Sequence, residues 1–442
     1  MRRRRTVARQ LTFHLDVDYR LPRLADWLAR VRDSPFFASS ATDRNANSGV
    51  KELRPERDRP LFRNTARRSC ARAGDAFSRH MAAYVNLLEP EALVRAFLTH
   101  APIGARAVAA PQGTPAFATR FDLLTTADDT LKRFLGGLPL KRYWSRVLHP
   151  MACFVGTTVS EYALLPEAVA PYVLVSEIKD RLGNDYPFLI FKDLPENSPL
   201  LDTASNALAQ AVVDACVAAG FVVLQGQALA YVPIDFASVE SFIGRLSRGR
   251  RKDVRRKLRA SAELGITIEV VPCGSDGFRC KEVLDEYYAM YMNVFRQSEV
   301  HFDLLSAEFF RAMLQDAAGG GVVFEYRQGG RLIAYNICFV TADMLIDKYV
   351  GFRYPEAREA NLYFVSWFHN LAFAQERGLR WYVAGWTDPT IKAYLGARFT
   401  FTRHAVYVRN GLLRALLRTL SRRFEADRNW REKFGEDSTR RP

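Results

Sequence analysis

Apolar positions in the second half of the chain change from helical spacing to alternation and back. Segments 285–295 and 307–316 have apolar residues three or four positions apart, which is the spacing of a helix. Three alternating, strand-like runs then follow: Val322 to Tyr326, Leu332 to Val340 and Met344 to Phe352. Because the connections between these runs are short and contain Gly or Asp, we expect an antiparallel meander.

Helix and strand patterns alternate again after the meander. A helical pattern runs from Pro355 to Gly378, and the apolar run Leu379 to Val383 predicts a buried strand. Asp388 and Pro389 are predicted as the N-cap and first-turn proline of a short helix. A last strand is expected at 399–408. The order after the meander is therefore helix, strand, helix, strand.

The first half of the chain repeats these kinds of element. Helical spacing is expected at 84–97 and at 203–219, and a hairpin turn at Gln112-Gly113. Strand-like runs are expected at 172–178 and 188–192. Both halves thus mix helices with strands, which indicates an α/β (α+β) fold class.

A chain of 442 residues is too long for one ordinary core, and about two or three domains are expected. We divide it into five regions by pattern and charge. They are an irregular N-terminal extension at 1–75, a first unit at 76–240, a basic linking helix at 241–265, a second unit at 266–410 and a basic amphipathic tail at 411–442.

The formal net charge is +15, and arginine carries it: Lys supplies 11 of the 63 basic residues, so Arg supplies 52. Arginine grips oxyanions bidentately, so this balance suits an anionic partner such as coenzyme A, RNA or a lipid headgroup. An Arg-rich chain is also produced by genome composition alone. The charge therefore informs association and leaves the fold open.

Cysteine spacing and the N-terminal residues exclude several classes. The six cysteines show no paired C-x-x-C spacing, so neither a zinc site nor a disulfide framework is expected. The basic run after Met1 is not followed by an apolar stretch of the length that a signal peptide needs. A cytoplasmic location is the resulting expectation.

Four segments of the second unit resemble the GNAT acyltransferase superfamily, in particular its Fem-like branch, which includes the BioF2-like acyltransferases. They are Arg331-Leu-Ile-Ala-Tyr-Asn336, Tyr349-Val-Gly-Phe352, Ala372-Phe-Ala-Gln-Glu-Arg-Gly-Leu379 and Ile391-Lys-Ala-Tyr-Leu-Gly396. The resemblance implies tandem GNAT-like units, each a mixed, mostly antiparallel sheet flanked by helices, with a degenerate first unit. It also implies an N-acyltransferase with acyl-CoA as the donor and an amine as the acceptor.

The basic run from Leu246 to Arg259 is similar to the helix that joins the two units in this branch. Helical spacing stacks Arg251, Arg255 and Arg259 on one face, where phosphates of the donor are expected to bind. A solvated helix surface is the alternative interpretation.

The segment 352–361 departs from the pattern of acetyl-CoA-dependent relatives. Those proteins place a glycine-rich pyrophosphate loop between the meander and the next helix, whereas this segment has no glycine. Some Fem-like relatives share this lack and take an aminoacyl group from tRNA, so both donors stay open. Within the segment, Arg353 is a candidate for binding the donor and Asn361 for binding the substrate.

Polar residues on the meander strands are the first candidates for chemistry. Alternation along 345–351 is expected to put Asp347 and Tyr349 on one face, where a carboxylate and a phenol meet a substrate amine. Asp347 is the candidate base or amine-orienting group, and a structural carboxylate paired with arginine is its alternative. Asn336 interrupts an apolar strand and either orients substrate or has a packing role.

The run Trp386 to Gly396 holds the remaining candidates. The family resemblance implies that Lys392 presents its ammonium to a phosphate or to the developing oxyanion, and an ordinary surface lysine is the alternative. Tyr394 is a candidate for protonating the leaving group. Trp386 is a candidate for contact with the substrate.

The tail from Leu412 to Phe424 has leucines on one side and arginines on the other, so it either rests on an anionic membrane or docks on the protein itself.

Three functions remain open at this point. They are N-acyl transfer from acyl-CoA to an amine of a small molecule or of an envelope or lipid precursor, the same reaction from aminoacyl-tRNA, and a non-catalytic module that binds RNA or an envelope precursor.

Overall fold

The computed structural model describes residues 83–122, 149–298 and 303–420. The predicted extension at 1–75 and the part of the tail beyond Leu420 lie outside these residues. Within them, helices and strands alternate as the sequence pattern indicates.

The described strands form one eleven-stranded mixed sheet. They are β1 (Ala105–Ala109), β2 (Pro115–Arg120), β3 (Met151–Val155), β4 (Phe188–Glu196), β5 (Val222–Pro233), β6 (Ile266–Pro272), β7 (Gly321–Gln328), β8 (Arg331–Val340), β9 (Met344–Phe352), β10 (Trp381–Gly385) and β11 (Arg398–Val408).

The described α-helices lie between and after these strands. They are α1 (Glu91–Thr99), α2 (Pro171–Leu182), α3 (Thr203–Ala218), α4 (Val239–Arg245), α5 (Arg248–Glu263), α6 (Lys281–Gln297), α7 (Ala307–Leu314), α8 (Glu356–Glu359), α9 (Leu362–Glu376), α10 (Pro389–Tyr394) and α11 (Gly411–Leu420). Two short 3₁₀ turns, Pro111–Gly113 and Asp276–Arg279, complete the set.

The sheet contains the same arrangement twice. Its spatial order is β1-β2-β3-β4-β11-β5-β10-β9-β8-β7-β6. In the first unit β1, β2 and β3 are antiparallel neighbours and β4 runs parallel to β3. In the second unit β7, β8 and β9 are antiparallel neighbours and β10 runs parallel to β9. The expectation of tandem units with a mixed, mostly antiparallel sheet is confirmed.

The last strand of each unit pairs with the other unit. Strand β5 of the first unit lies antiparallel to β10, and β11 of the second unit lies antiparallel to β4. The two exchanged strands also pair with each other at the centre of the sheet. Because the exchange makes the backbone ladder continuous, the two units share one sheet.

Helices cover both faces of the sheet in the second unit. Trp367 and Leu371 of α9 pack on one face, while Tyr287 of α6 and Phe309 of α7 pack on the other. All four side chains are buried. The helix predicted to follow the meander is therefore the main cover of one face.

The strand expected at 172–178 is wrong, because this segment belongs to helix α2. Pro171 occupies the first turn, and Leu174, Val175, Ile178 and Leu182 are buried. That spacing is helical, but the run of branched apolar residues is short, and short apolar runs cannot be assigned by periodicity alone. Helix α2 therefore follows the antiparallel strands of the first unit as α9 follows those of the second unit.

Candidate active site

Strands β9 and β10 separate in the middle of the sheet. Their parallel pairing runs from Met344 and Trp381 to Ile346 and Val383, where it stops. Residues 347–350 of β9 are partly exposed although the strand has neighbours on both sides. A strand inside a sheet is normally buried, so this exposure marks a cleft between the two strands.

A bulge in β9 sets the direction of its side chains along the cleft. Ile337 of β8 faces Tyr349, and the next residue, Cys338, faces Asp347, so Lys348 is an extra residue without a partner in β8. Asp347 therefore lies on the α9 face, whereas Tyr349 packs on Phe309 of α7 on the other face. The expectation that Asp347 and Tyr349 share a face is wrong, because the bulge shifts the alternation by one residue.

Asp347 is the centre of a polar network whose other members, Asn336, Asn370 and Tyr382, are buried. Its Oδ1 accepts from Asn336 Nδ2 at 2.7 Å, and its Oδ2 accepts from the Tyr382 hydroxyl at 2.8 Å and from Asn370 Nδ2 at 3.2 Å. Asn370 Nδ2 also lies 2.7 Å from Asn336 Oδ1. The structure thus brings together two of the predicted candidates, Asp347 and Asn336.

Asn370 and Tyr382 were not among the sequence candidates. Asn370 is a fully buried amide in the largely apolar helix α9, and that break in the helical pattern was the available signal. Tyr382 is an aromatic residue in a buried strand and gave no signal. Both residues donate hydrogen bonds to the Asp347 carboxylate.

Lys392 reaches the same cleft from helix α10. Its side chain is only 4 % exposed, and its Nζ donates to the Ala384 carbonyl at 2.6 Å. The adjacent Gly385 has a φ of +77°, and a Cβ built on it lies 3.9 Å from this Nζ. The close approach of the amine thus takes place where the backbone carries no side chain.

Asp388 does not cap α10 in the predicted way. It has a φ of +50°, and its side chain makes no capping hydrogen bond. Its backbone carbonyl accepts from the Lys392 N–H at 3.2 Å, and Pro389 occupies the first turn as expected. The tight left-handed turn at Asp388 therefore replaces a side-chain cap at this end of the cleft.

Burial lowers the pKa of Lys392 to about 8, and the carboxylates of Asp347, Asp388 and Glu161 partly offset this effect. Burial also raises the pKa of Asp347, while the bonds from Asn336 and Tyr382 oppose the increase. A lysine with a pKa near 8 is partly neutral at physiological pH and can accept a proton. Its burial beneath a backbone carbonyl suits this role better than contact with a phosphate.

Tyr394 and the basic linking helix meet on the other side of α10. The Tyr394 hydroxyl donates to Asp253 Oδ2 at 3.0 Å, and Arg250 Nη1 donates to the Ala393 carbonyl at 3.2 Å. Lys257 lies 3.6 Å from the ring centroid of Phe364 at the start of α9. The face of α5 with Arg250, Asp253 and Lys257 therefore packs on the helices of the site.

The arginines predicted to bind the donor lie on another face of α5. Arg251 Nη1 donates to the Gly244 carbonyl at 2.8 Å, Arg255 pairs with Glu240, and Arg259 Nε lies 3.4 Å from the Arg255 carbonyl. The first two contacts are with helix α4. This face is exposed, and α4 lies beside it.

The other three candidates occupy the surroundings of the cleft. Arg353 pairs with Glu286 of α6, and its Nε donates to the Leu332 carbonyl at 3.2 Å. Asn361 has a φ of +52° at the start of α9, and Trp386 packs on a cluster that includes Tyr162 of the first unit. Asn361 thus begins α9, and Trp386 directly follows β10.

Two structural features bear on other classes of site. Within the described ranges, no group of three or more His, Cys, Asp or Glu residues is arranged to hold a metal ion. No helix in the described part of the chain is long and apolar enough to cross a membrane.

Residues 248–393 match the family model described as "Acetyltransferase (GNAT) domain". The matched segment begins with α5 and ends inside α10, so it contains the whole cleft between β9 and β10. The sequence prediction of a GNAT-superfamily domain is thereby confirmed. No curated protein sequence matches the chain.

Several solved structures are similar to this chain at low sequence identity. The C-terminal domain of a putative lysylphosphatidylglycerol synthetase from Agrobacterium fabrum has 16% identity and a TM-score of 0.46, covering 78% of this chain and 95% of that one. L-PGS from Bacillus licheniformis has 11% identity and a TM-score of 0.46, covering 79% and 95%. FemX has 11% identity and a TM-score of 0.42, covering 79% and 98%.

Proposed function

We propose, on the premise that residues 248–393 form a domain with the GNAT acyltransferase fold, that the protein transfers an acyl group to an amine in the cleft between β9 and β10. The observation that carries the proposal is the buried Lys392, which lies beside the Asp347 network where the two strands separate. The acceptor is an amine of a small molecule or of an envelope or lipid precursor.

Lys392 is the proposed base. An amine acceptor is protonated in water, and it must lose one proton to water before its nitrogen can attack a carbonyl carbon. Attack by the neutral amine forms the C–N bond, a second proton of that nitrogen passes to the Lys392 amine, and the bond between the carbonyl carbon and the leaving group then breaks. The thiolate of coenzyme A or the ribose alkoxide of tRNA leaves and takes this second proton from Lys392, which restores the neutral lysine.

Asp347 stabilises the protonated form of Lys392. Its two oxygens accept three hydrogen bonds, so few lone pairs are free for a proton from the substrate. As a nearby negative charge it favours the ammonium that forms during the reaction. We therefore assign it a positioning and electrostatic role.

The bulge in β9 is the proposed binding site for the oxyanion. The extra residue Lys348 interrupts the ladder with β8, and β9 has no pairing with β10 beyond Ile346. Backbone N–H groups directed into such a cleft can donate to the oxygen of the tetrahedral intermediate. Tyr394 is bound to Asp253 on α5, so a role in protonating the leaving group requires it to exchange that bond.

Acyl-CoA is the first donor that we propose. Aminoacyl-tRNA is the second, and one observation favours it. The N–H groups of Ala357, Arg358, Glu359 and Ala360 donate within the turn that contains α8, so they are not free to cradle a pyrophosphate. A donor must then be held by side chains, for which the exposed face of Arg251, Arg255 and Arg259 offers basic groups.

A donor comparison tests the function. Purified protein is incubated with candidate amines and either a panel of acyl-CoA thioesters, scored by free thiol release, or charged tRNA, scored by loss of the aminoacyl group. Transfer from one donor class, lost in Lys392→Met, supports the proposal and identifies the donor. Binding of RNA that is weakened by salt, without transfer from either class, would favour the non-catalytic module.

Both donors are cytoplasmic molecules, and we place the reaction in the cytoplasm. Helix α11 suggests contact with an anionic membrane, because Leu412, Leu413 and Leu416 are 84%, 44% and 53% exposed beside Arg414 and Arg418. Sedimentation with vesicles of phosphatidylglycerol, compared with neutral vesicles, tests this contact. Equal binding to both, or none to either, would exclude it.

A further inference from the structure

A lysine of the second unit and two glutamates of the first form a buried ion-pair cluster. Lys348 Nζ lies 2.6 Å from Glu161 Oε1 and 3.1 Å from Glu89 Oε1. The Glu161 backbone N–H donates to Glu89 Oε1 at 2.8 Å, which connects the two acids. The side chains of Lys348, Glu161 and Glu89 are 6%, 2% and 1% exposed. Water therefore screens these interactions only weakly.

The cluster joins the first unit to the bulge in β9. Glu89 lies just before α1, and Glu161 lies in the loop that follows β3. Lys348 is the extra residue of the bulge, directly after Asp347. The first unit thus holds the extra residue of the bulge, which directly follows Asp347.

Glu161 also contributes to the electrostatic environment of Lys392. Three carboxylates interact electrostatically with the Lys392 amine: Asp347 from β9, Asp388 from the turn before α10, and Glu161 from the first unit. The cation of Lys348 interacts with both Asp347 and Glu161. Glu161 therefore pairs with the lysine of the bulge and contributes to the electrostatics of the lysine in the proposed base position.

Joining two units through such a cluster has a large cost in free energy. Burying charged groups has a desolvation cost, and well-packed apolar residues often hold a protein together equally well. The cost is increased here because Glu161 Oε2 and Glu89 Oε2 are buried without a hydrogen-bond partner among the described residues. Costly polar groups of this kind concentrate at functional sites.

We propose that Glu161 is a positioning residue of the transfer site. The first unit thereby contributes a residue to the site in the second unit. Held by Lys348 and Glu89, Glu161 fixes the bulge in β9 and stabilises the protonated form of Lys392. The inference rests on the proposed function, because it assigns the first unit a task in the same reaction.

The test is the titration of Lys392 measured without turnover. Full-length protein is treated with a trace of acetic anhydride across a pH series, and acetylation of the Lys392 peptide is quantified by mass spectrometry. In wild type the amine becomes reactive with a midpoint near pH 8. In Glu161→Gln the midpoint moves to lower pH, because a carboxylate that favours the ammonium is gone.

If Glu161 had only a structural role, its loss would shift the labelling midpoint of Lys392 to higher pH. If loss of Glu161 only loosened the site, water would enter and the midpoint would move up toward that of an exposed lysine. Glu167→Gln, an exposed glutamate in the same loop, is the matched control and leaves the midpoint unchanged. A midpoint that is unchanged or raised in folded Glu161→Gln overturns the proposal.

Glu161→Asp covers the case in which Glu161→Gln does not fold. It keeps a charge for Lys348 but withdraws it by one methylene, so its midpoint lies below that of wild type and above that of a neutral residue. An unchanged or raised midpoint in this variant also overturns the proposal. Thermal unfolding measured by circular dichroism verifies the fold of each variant.

The kinetic readout separates this proposal from the proposed function. Where a donor is found, Glu161→Gln lowers kcat roughly tenfold with little change in KM, which is the order expected of a mispositioned base. Its pH profile follows the labelling midpoint. If no donor supports transfer, the proposed function fails, while the labelling result still decides whether Glu161 acts on Lys392.

Discussion

In each unit two parallel strands separate at the corresponding position of the sheet, but the side chains at the two openings differ. Parallel pairing stops at Val155 and Phe191 in the first unit and at Ile346 and Val383 in the second. Two residues further along the parallel strand, the backbone takes a positive φ in both units, at Asp193 (+61°) and at Gly385 (+77°). The two units therefore share the same backbone arrangement, in which a positive φ follows the end of the parallel pairing.

The side chains at the two openings differ in type and in their hydrogen-bond partners. Where the second unit has Asp347 after the last paired residue, the first has Gly156. Lys192 of the first unit pairs with Asp193, whose carboxylate accepts from Thr402 Oγ1 of β11 at 3.2 Å. The repeated topology therefore supplies an opening in each unit, and the lysine at the opening pairs with a carboxylate in the first unit and donates to a backbone carbonyl in the second.

The largest expected effect is at Lys392. Lys392→Met removes the proposed base while keeping an unbranched side chain of similar length. We expect kcat/KM to fall by about 100-fold or more, which is typical of losing a general base. The measurement is the transfer assay, and Lys281→Met, an exposed lysine on α6, is the control. Comparable loss in both variants would contradict a specific role.

Asp347→Asn is expected to have the next largest effect. The amide keeps the shape of the carboxylate but removes the charge that favours protonated Lys392, so kcat falls by roughly 10- to 100-fold. Asp343→Asn, just before the same strand, tests for a general effect of charge on β9. A rate like that of wild type in Asp347→Asn would remove the carboxylate from the account.

Tyr382→Phe sharpens the role of the network. The change removes one of three hydrogen bonds to Asp347, and a loss of about threefold to tenfold in kcat is expected for one such bond. Steady-state kinetics with Tyr172→Phe, whose ring is 71% exposed, provide the comparison. If kcat stays at the wild-type value, the remaining donors fully hold Asp347.

His404→Gln tests whether the first opening is structural. Burial lowers the pKa of His404 to about 3, and its Nδ1 accepts from the Asp193 N–H at 3.0 Å. The unfolded chain binds this proton at higher pH than the folded chain, so stability falls as the pH drops from about 6.5 toward 3. We expect a shallower decline in the variant, measured by urea unfolding, and little change in kcat. A large loss of kcat would give the first opening a part in catalysis.

The sequence predicted the second unit well because its signals are local. The meander, the helix after it and the short helix at Pro389 follow from apolar spacing and turn residues. Asn336 and Asp347 interrupt apolar strands, and they proved to be hydrogen-bonded partners. Polar residues inside buried elements were thus the informative signal.

Other features depend on contacts that local patterns do not contain. The exchange of β5 and β11 is a choice between partners far apart in sequence. The bulge at Lys348 is a shift of one residue, which leaves the composition of the strand unchanged but turns Tyr349 away from Asp347. Glu161 reaches the site from a unit nearly two hundred residues earlier in the chain.

The pH dependence of transfer tests the central claim most directly. Because the base must be neutral, kcat/KM of wild type should rise with pH to a plateau, with an apparent pKa near 8. In Lys392→Met the residual activity should lose that ionisation. The same ionisation near pH 8 in the variant would contradict the assignment of Lys392 as the base.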